Sequence, residues 1–203
     1  YKRKRFGVIR GFLDDSLYNA AVDLIKSKGA EIIIVDPKEE SLSGFLRLLN
    51  LDMQADLPLY FENFSSKNIY FNGVQSIIDF NNGDSINRAP YGQKFFQGIV
   101  SDKASKREFK EIKKFLKTKG RAYFDQMMEV HQLDAILSIN NYHAGYAAVA
   151  EYPALTVPMG LSLNSEPKGL TFIAKPFCET DLYNWGYHYE MAAKPRPTPK
   201  NYN

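Results

Sequence analysis

The chain has 203 residues, 44% of them apolar and 14% aromatic, and a formal net charge of +3. That is enough apolar material for a sizeable core in one domain, or in part of a larger one, with Phe and Tyr prominent in it, and far less positive charge than a nucleic-acid binder concentrates. A single cysteine, Cys178, excludes a disulfide-stapled module, and no apolar run approaches the ~20 residues of a membrane-spanning helix, so neither nucleic acid nor a membrane is expected as a partner.

The chain opens Tyr1-Lys2-Arg3-Lys4-Arg5 without a Met, which reads as a processed or truncated product. The compartment therefore stays open, with the cytoplasm favoured and the periplasm allowed. Arg5–Arg10 predicts a short strand. Asp14 or Asp15 is placed to cap a helix, whose apolar stripe is Leu17, Ala20, Ala21, Leu24 and Ile25. Gly29 stops it. Ile32-Ile33-Ile34-Val35 predicts a strand buried on both faces, and the resulting β-α-β unit predicts two parallel strands. Its turn lacks a glycine-rich phosphate loop, which argues against a dinucleotide site.

Leu42–Phe64 reads as helix, with Phe45, Leu48, Leu49, Met53 and Leu57 as its buried stripe and Pro58 as a kink or break. A shorter helix follows at Val74–Phe80, then a turn at Asn81–Asp84 and an irregular stretch at Ala89–Gly92. Ser105–His131 predicts one long helix with Phe109, Ile112, Leu116, Tyr123, Met127 and Val130 inward across Gly120. Its many lysines and arginines read as a solvated face, without the interleaved aromatics that base stacking requires. Ala135–Ile139 predicts a buried strand, Tyr142–Ala150 a loop and a closely packed short helix, and Leu155–Val157 and Leu170–Ala174 two more strands. A last helix begins at Glu179 or Thr180 with Leu182, Trp185, Gly186 and Tyr189 inward. An extended tail covers 194–203. No repeat and no second independent domain is evident, so 1–203 reads as a single or partial domain of α/β class: a mixed, largely buried β-sheet flanked by helices.

The histidines, His131, His143 and His188, have no metal-ligand spacing, and no cofactor is expected. Ser138, His143 and Asp134 are the right types for a nucleophile, base and orienting acid, but no Gly-x-Ser-x-Gly elbow accompanies them. Cys178, just before a helix, reads as an inert buried thiol. Ser65-Ser66-Lys67 reads as a cap or turn.

Several segments, taken in order, resemble the amidase signature family. These are Arg5-Phe6-Gly7-Val8 followed by Lys28-Gly29-Ala30-Glu31; Ile78-Asp79-Phe80-Asn81 with Tyr91-Gly92-Gln93; Leu133-Asp134-Ala135-Ile136-Leu137; Tyr152-Pro153-Ala154-Leu155-Thr156-Val157-Pro158; and Pro167-Lys168-Gly169-Leu170-Thr171-Phe172 with Glu179, Leu182, Glu190, Arg196 and Pro197. The resemblance implies the C-terminal portion of an amidase-signature fold. It implies hydrolysis of carboxamide C–N bonds by a lysine, a bridging cis-peptide serine and a nucleophilic serine, with backbone N–H groups holding the oxyanion. The Gly/Ser-rich segment that carries those residues in the family has no counterpart here, so no catalytic residue is expected in this chain and the chain alone is expected to be inactive. Asn140, Asn141, Tyr142 and His143, at the carboxyl end of a predicted strand where ligands gather in α/β sheets, are expected to line the substrate pocket, together with Gln93. Glutamine-using relatives place an acidic residue near the position of Asn141, which argues against glutamine as substrate. Glu151 stands where the family usually has Gly, which would strain it if φ is positive. The expected partners are a small amide substrate in the full-length protein, the N-terminal half of the same protein and, to cover an exposed apolar face, a second copy. The alternatives are a non-catalytic binding module of amidase-like fold and a component of a glutamine-dependent tRNA amidotransferase.

Overall fold

The computed structural model describes residues 1–196. The predicted tail lies outside the described residues beyond Arg196, and Lys194–Arg196 have no regular structure. The chain divides into two compact units: Tyr1–Leu42 together with the chain from Leu116 onward, and Ser43–Phe115.

The first unit is built on a five-stranded sheet of β1 (Arg5–Ile9), β2 (Glu31–Val35), β3 (Ala135–Ile139), β4 (Ala154–Leu161) and β5 (Pro167–Ile173), in the order β2-β1-β3-β5-β4. β1 is parallel to β2 and to β3, while β3–β5 and β5–β4 are antiparallel, so the sheet is mixed. Side chains alternate between its faces, and the core divides accordingly. Phe6, Val8, Leu137, Leu170 and Phe172 pack with Tyr18 and Ile25 of α1 (Ser16–Ser27) and with Leu182, Trp185 and Tyr189 of α8 (Glu179–Ala193). Ile136 and Ile173 pack on the other side with Phe124, Met127 and Met128 of α6 (Lys106–Val130) and Ala147 and Ala150 of α7 (Ala144–Ala150).

α1 starts where Asp15 accepts the N–H groups of Leu17 and Tyr18 at 3.0 and 3.1 Å, satisfying two donors that a helix start leaves open. Its buried stripe is Tyr18, Ala21, Val22 and Ile25; of the predicted stripe Ala21 and Ile25 are buried, Leu17 and Leu24 pack half-buried against the core, and Ala20 faces solvent. Tyr18 escapes a purely apolar count because its ring is buried while its hydroxyl donates to the Leu137 carbonyl at 2.8 Å. β2 is an edge strand, and Ile34 is 45% exposed. A β-branched run therefore marks a strand here but not burial on both faces. α6 carries Leu116, Gly120, Tyr123, Phe124, Met127 and Met128 inward, with Val130 exposed. A side chain on Gly120 would meet Val149 Cγ2 at 2.6 Å, the Tyr146 carbonyl at 2.7 Å and the Ala150 nitrogen at 2.8 Å. The glycine is what lets α6 and the small residues of α7 pack backbone against backbone.

The second unit is helical: α2 (Phe45–Phe64), α3 (Val74–Asn82), α4 (Ser85–Arg88), α5 (Lys94–Ser101) and the start of α6. Its buried cluster is small, Val74, Ile78 and Ile99 with Leu57, Phe96 and Val100 against them. α2 runs through Pro58 without ending, and it buries Leu51 in place of the predicted stripe, with Leu49 and Met53 exposed. The predicted Asn81–Asp84 turn begins inside α3, with Gly83 at its end. α5 has no counterpart in the sequence reading, although Phe96, Ile99 and Val100 fall at helical spacing.

Candidate functional site

Four of the five expected pocket residues form the turn that leaves the carboxyl end of β3. Asn140 adopts φ 47, a region that Asn tolerates better than most residues. Its polar atoms are taken up by β5. Its N–H donates to the Gly169 carbonyl at 2.8 Å, its Oδ1 accepts the Gly169 N–H at 2.7 Å, and its carbonyl accepts the Thr171 hydroxyl at 2.5 Å. A side chain on Gly169 would come within 2.5 Å of Thr156 Cγ2, so the glycine permits this close seating. Asn140 is thus a clamp between β3 and β5. Asn141 and Tyr142 are exposed, and the Tyr142 ring lies 5.8 Å from that of Phe12. His143 is half-buried ahead of α7, and its Nδ1 lies 2.6 Å from the Ser138 hydroxyl. Rings of Phe12 and Tyr123 flank it at 5.5 Å each, and Tyr146 at 6.4 Å. Loss of solvent lowers the imidazole pKa below its ordinary value, which keeps the ring neutral at pH 7.

Gln93 belongs to the helical unit. Its amide receives a hydrogen bond from Asn81 and donates one to Asn82, both at 2.9 Å, so both of its ends are committed there.

Ser138 and His143 do meet, but not as a nucleophile and its base. Ser138 has no exposed surface, so its oxygen cannot reach a substrate. Asp134 lies at the other end of β3, roughly 13 Å away for four extended residues, with its carboxylate on Lys4 Nζ at 2.9 Å and on the Arg5 N–H at 2.8 Å. Ser65 ends α2, and Cys178 sits half-buried at the start of α8, where its carbonyl accepts the Leu182 N–H at 3.0 Å and its thiol makes no capping bond. Among the described residues no group of three or more His, Cys, Asp or Glu could hold a metal ion.

The sequence reading missed a row of hydroxyls across three strands. Ser138 pairs with Thr171 and Thr171 with Thr156 in the strand registers, which places all three on one face. Thr156 and Thr171 are bonded at 2.7 Å. Since Thr171 gives its one hydroxyl hydrogen to Asn140, Thr156 donates to Thr171, and Thr156 is exposed. The polar residues inside otherwise β-branched strands were the available signal. A shallow cavity of about 200 Å³ lies elsewhere, between the end of β2 and α6, lined in part by Val35, Met127 and Val130. Its Asp36 is already paired with Arg10 at 3.1 Å.

The predicted strain at Glu151 is present. Glu151 ends α7 with φ 60 and ψ 42, and its carboxylate is held by Lys117 of α6 at 2.5 Å.

No family model matches the chain. It is 23% identical over 98% of its length to a probable amidase of Arabidopsis thaliana, of which it spans 40%. A 42-residue stretch is 43% identical to part of a glutamyl-tRNA(Gln) amidotransferase from Brachyspira hyodysenteriae, and covers 9% of the chain it matches there. Its structure superposes on an amidase family protein from Bacillus anthracis with TM-score 0.86 and 28% identity, over 98% of this chain and 40% of that one. The peptide amidase of Stenotrophomonas maltophilia has the same fold, with TM-score 0.82 and 23% identity over 98% of this chain and 44% of that one.

The homologues and structural neighbours of the chain are amidases of the amidase signature family. The chain spans about 40% of the length of the relatives it matches.

Proposed function

We propose that this chain is the scaffold and one wall of the substrate site in an amidase that hydrolyses carboxamide C–N bonds. The observation that carries the reading is the superposition of 98% of the chain on less than half of an amidase family protein, with TM-score 0.86. In this reading the nucleophilic serine, the bridging serine and the lysine lie on sequence other than these 203 residues. Asn141, Tyr142 and His143 face the amide, and Asn140 holds their turn. The buried state of Ser138 and the engagement of Asp134 with Lys4 support the absence of a nucleophile set here.

The test compares the purified 203-residue chain with a longer product of the same reading frame on simple carboxamides such as benzamide. Turnover by the longer product alone is expected. Turnover by the short chain that disappears in Ser138→Ala or His143→Ala would overturn the reading. The amidotransferase reading draws on the 42-residue likeness alone, and Asn141, where glutamine-using relatives carry an acid, weighs against it.

A further inference from the structure

The Ser138–His143 contact has a direction that hydrogen bookkeeping fixes. Among the described residues the Ser138 hydroxyl has one hydrogen-bond partner, His143 Nδ1 at 2.6 Å, and Ser138 is wholly buried. If Nδ1 carried the ring hydrogen and donated to Ser138, the serine hydrogen would have nowhere to go, and buried hydroxyl hydrogens without acceptors are rare. If Ser138 donates, both atoms are satisfied and the ring hydrogen resides on Nε2. No buried side-chain nitrogen or oxygen lacks a partner among the described residues. Nε2 has no hydrogen-bond partner among those residues, so it must reach the accessible surface. The surrounding rings of Phe12, Tyr123 and Tyr146 offer no ionised acceptor that would favour a second ring proton.

We infer that Ser138 is a positioning residue: its hydroxyl locks His143 as the neutral Nε2–H tautomer, so that this wall presents one fixed N–H donor, suited to an uncharged acceptor such as the carbonyl oxygen of a carboxamide. The choice of carboxamide rests on the function proposed above; the tautomer does not. The arrangement selects by what it withholds. A neutral imidazole with its hydrogen on Nε2 can donate there but cannot accept, and it carries no charge with which to attract a carboxylate.

The test is nitrogen-15 NMR of the imidazole in the full 203-residue chain at pH 7.5. The wild type is expected to show a hydrogen-bonded, pyridine-type Nδ1 and a protonated, pyrrole-type Nε2. A protonated Nδ1, or rapid averaging of the two nitrogens, would overturn the inference. This holds whatever becomes of any variant, because the wild-type spectrum decides alone. Ser138→Ala is expected to abolish the tautomer preference. Acetamide titrated into the wild type should move the Nε2–H signal to saturation. A correct tautomer with no response to acetamide would sink the recognition step by itself, whereas failure of the longer protein to hydrolyse amides would leave the tautomer result standing.

Discussion

The two compact units use similar amounts of aromatic residue in different ways. In the sheet unit Phe6 is wholly buried, edge-on to Trp185 at 5.1 Å and to Phe172 at 6.0 Å. In the helical unit Tyr60, Phe61, Phe71 and Phe80 form a chain of neighbouring rings, yet Tyr60, Phe64, Tyr70 and Phe80 remain exposed. The difference lies in the layers available. A sheet offers two faces, each closed by a pair of helices, while the helical unit closes only a small cluster around Val74, Ile78 and Ile99. Apolar composition alone does not make a core; a facing layer has to exist.

The strongest test of this contrast is a pair of truncations. Phe6→Ala is expected to cost about 3–5 kcal/mol, and Phe64→Ala, at a residue 77% exposed, to stay within about 0.5 kcal/mol. Urea denaturation of both variants would break the comparison if the two losses were alike. Gly120→Val tests the backbone contact of α6 with α7. Its added atoms meet Val149 and the α7 backbone, and a loss of about 2–3 kcal/mol is expected by the same measurement. Glu151→Gly should gain roughly 0.5–1 kcal/mol by relieving the left-handed backbone, because the exposed pair with Lys117 that it gives up is worth little. A loss in that variant would show the ion pair to outweigh the strain.

The smallest expected effect is a pH dependence. Burial lowers the His143 pKa from 6.5, so the unfolded chain takes up a proton before the folded one does. The contribution of His143 is present above pH 6.5, declines as pH falls toward the folded value and is then lost. Denaturation midpoints of wild type and His143→Phe should therefore diverge at pH 7.5 and converge toward pH 5. An unchanged difference would remove the histidine from the account.

Much of the sheet unit was legible from residue order. The parallel β-α-β start, the central β3 and the inward face of α8 follow from periodicity and capping chemistry. What failed was burial that depends on neighbours distant in sequence. Ile32–Ile34 read as a doubly buried strand, and only the strand order shows them at an edge. Met53 and Leu49 fit a helical stripe for which the unit supplies no opposing layer. At the site, the turn from Asn140 to His143 was placed by its position after a strand. The bond from Ser138 to Nδ1 was not readable, since residue type does not reveal which ring nitrogen faces inward. Nor did the sequence show that Asn140 is occupied by β5.

The two rims of the sheet differ in how they meet an incoming strand. β4 carries Pro158, which has no N–H to offer, and an irregular register between Pro158 and Gly160. Such interruptions blunt a strand against templated growth. β2 has neither: Ile32, Ile33, Ile34 and Val35 run unbroken along the opposite rim, and among the described residues β1 alone pairs with them. Extension of this sheet therefore has a direction. Any added strand, from the same polypeptide or from another molecule, meets a guarded margin at β4 and an open one at β2.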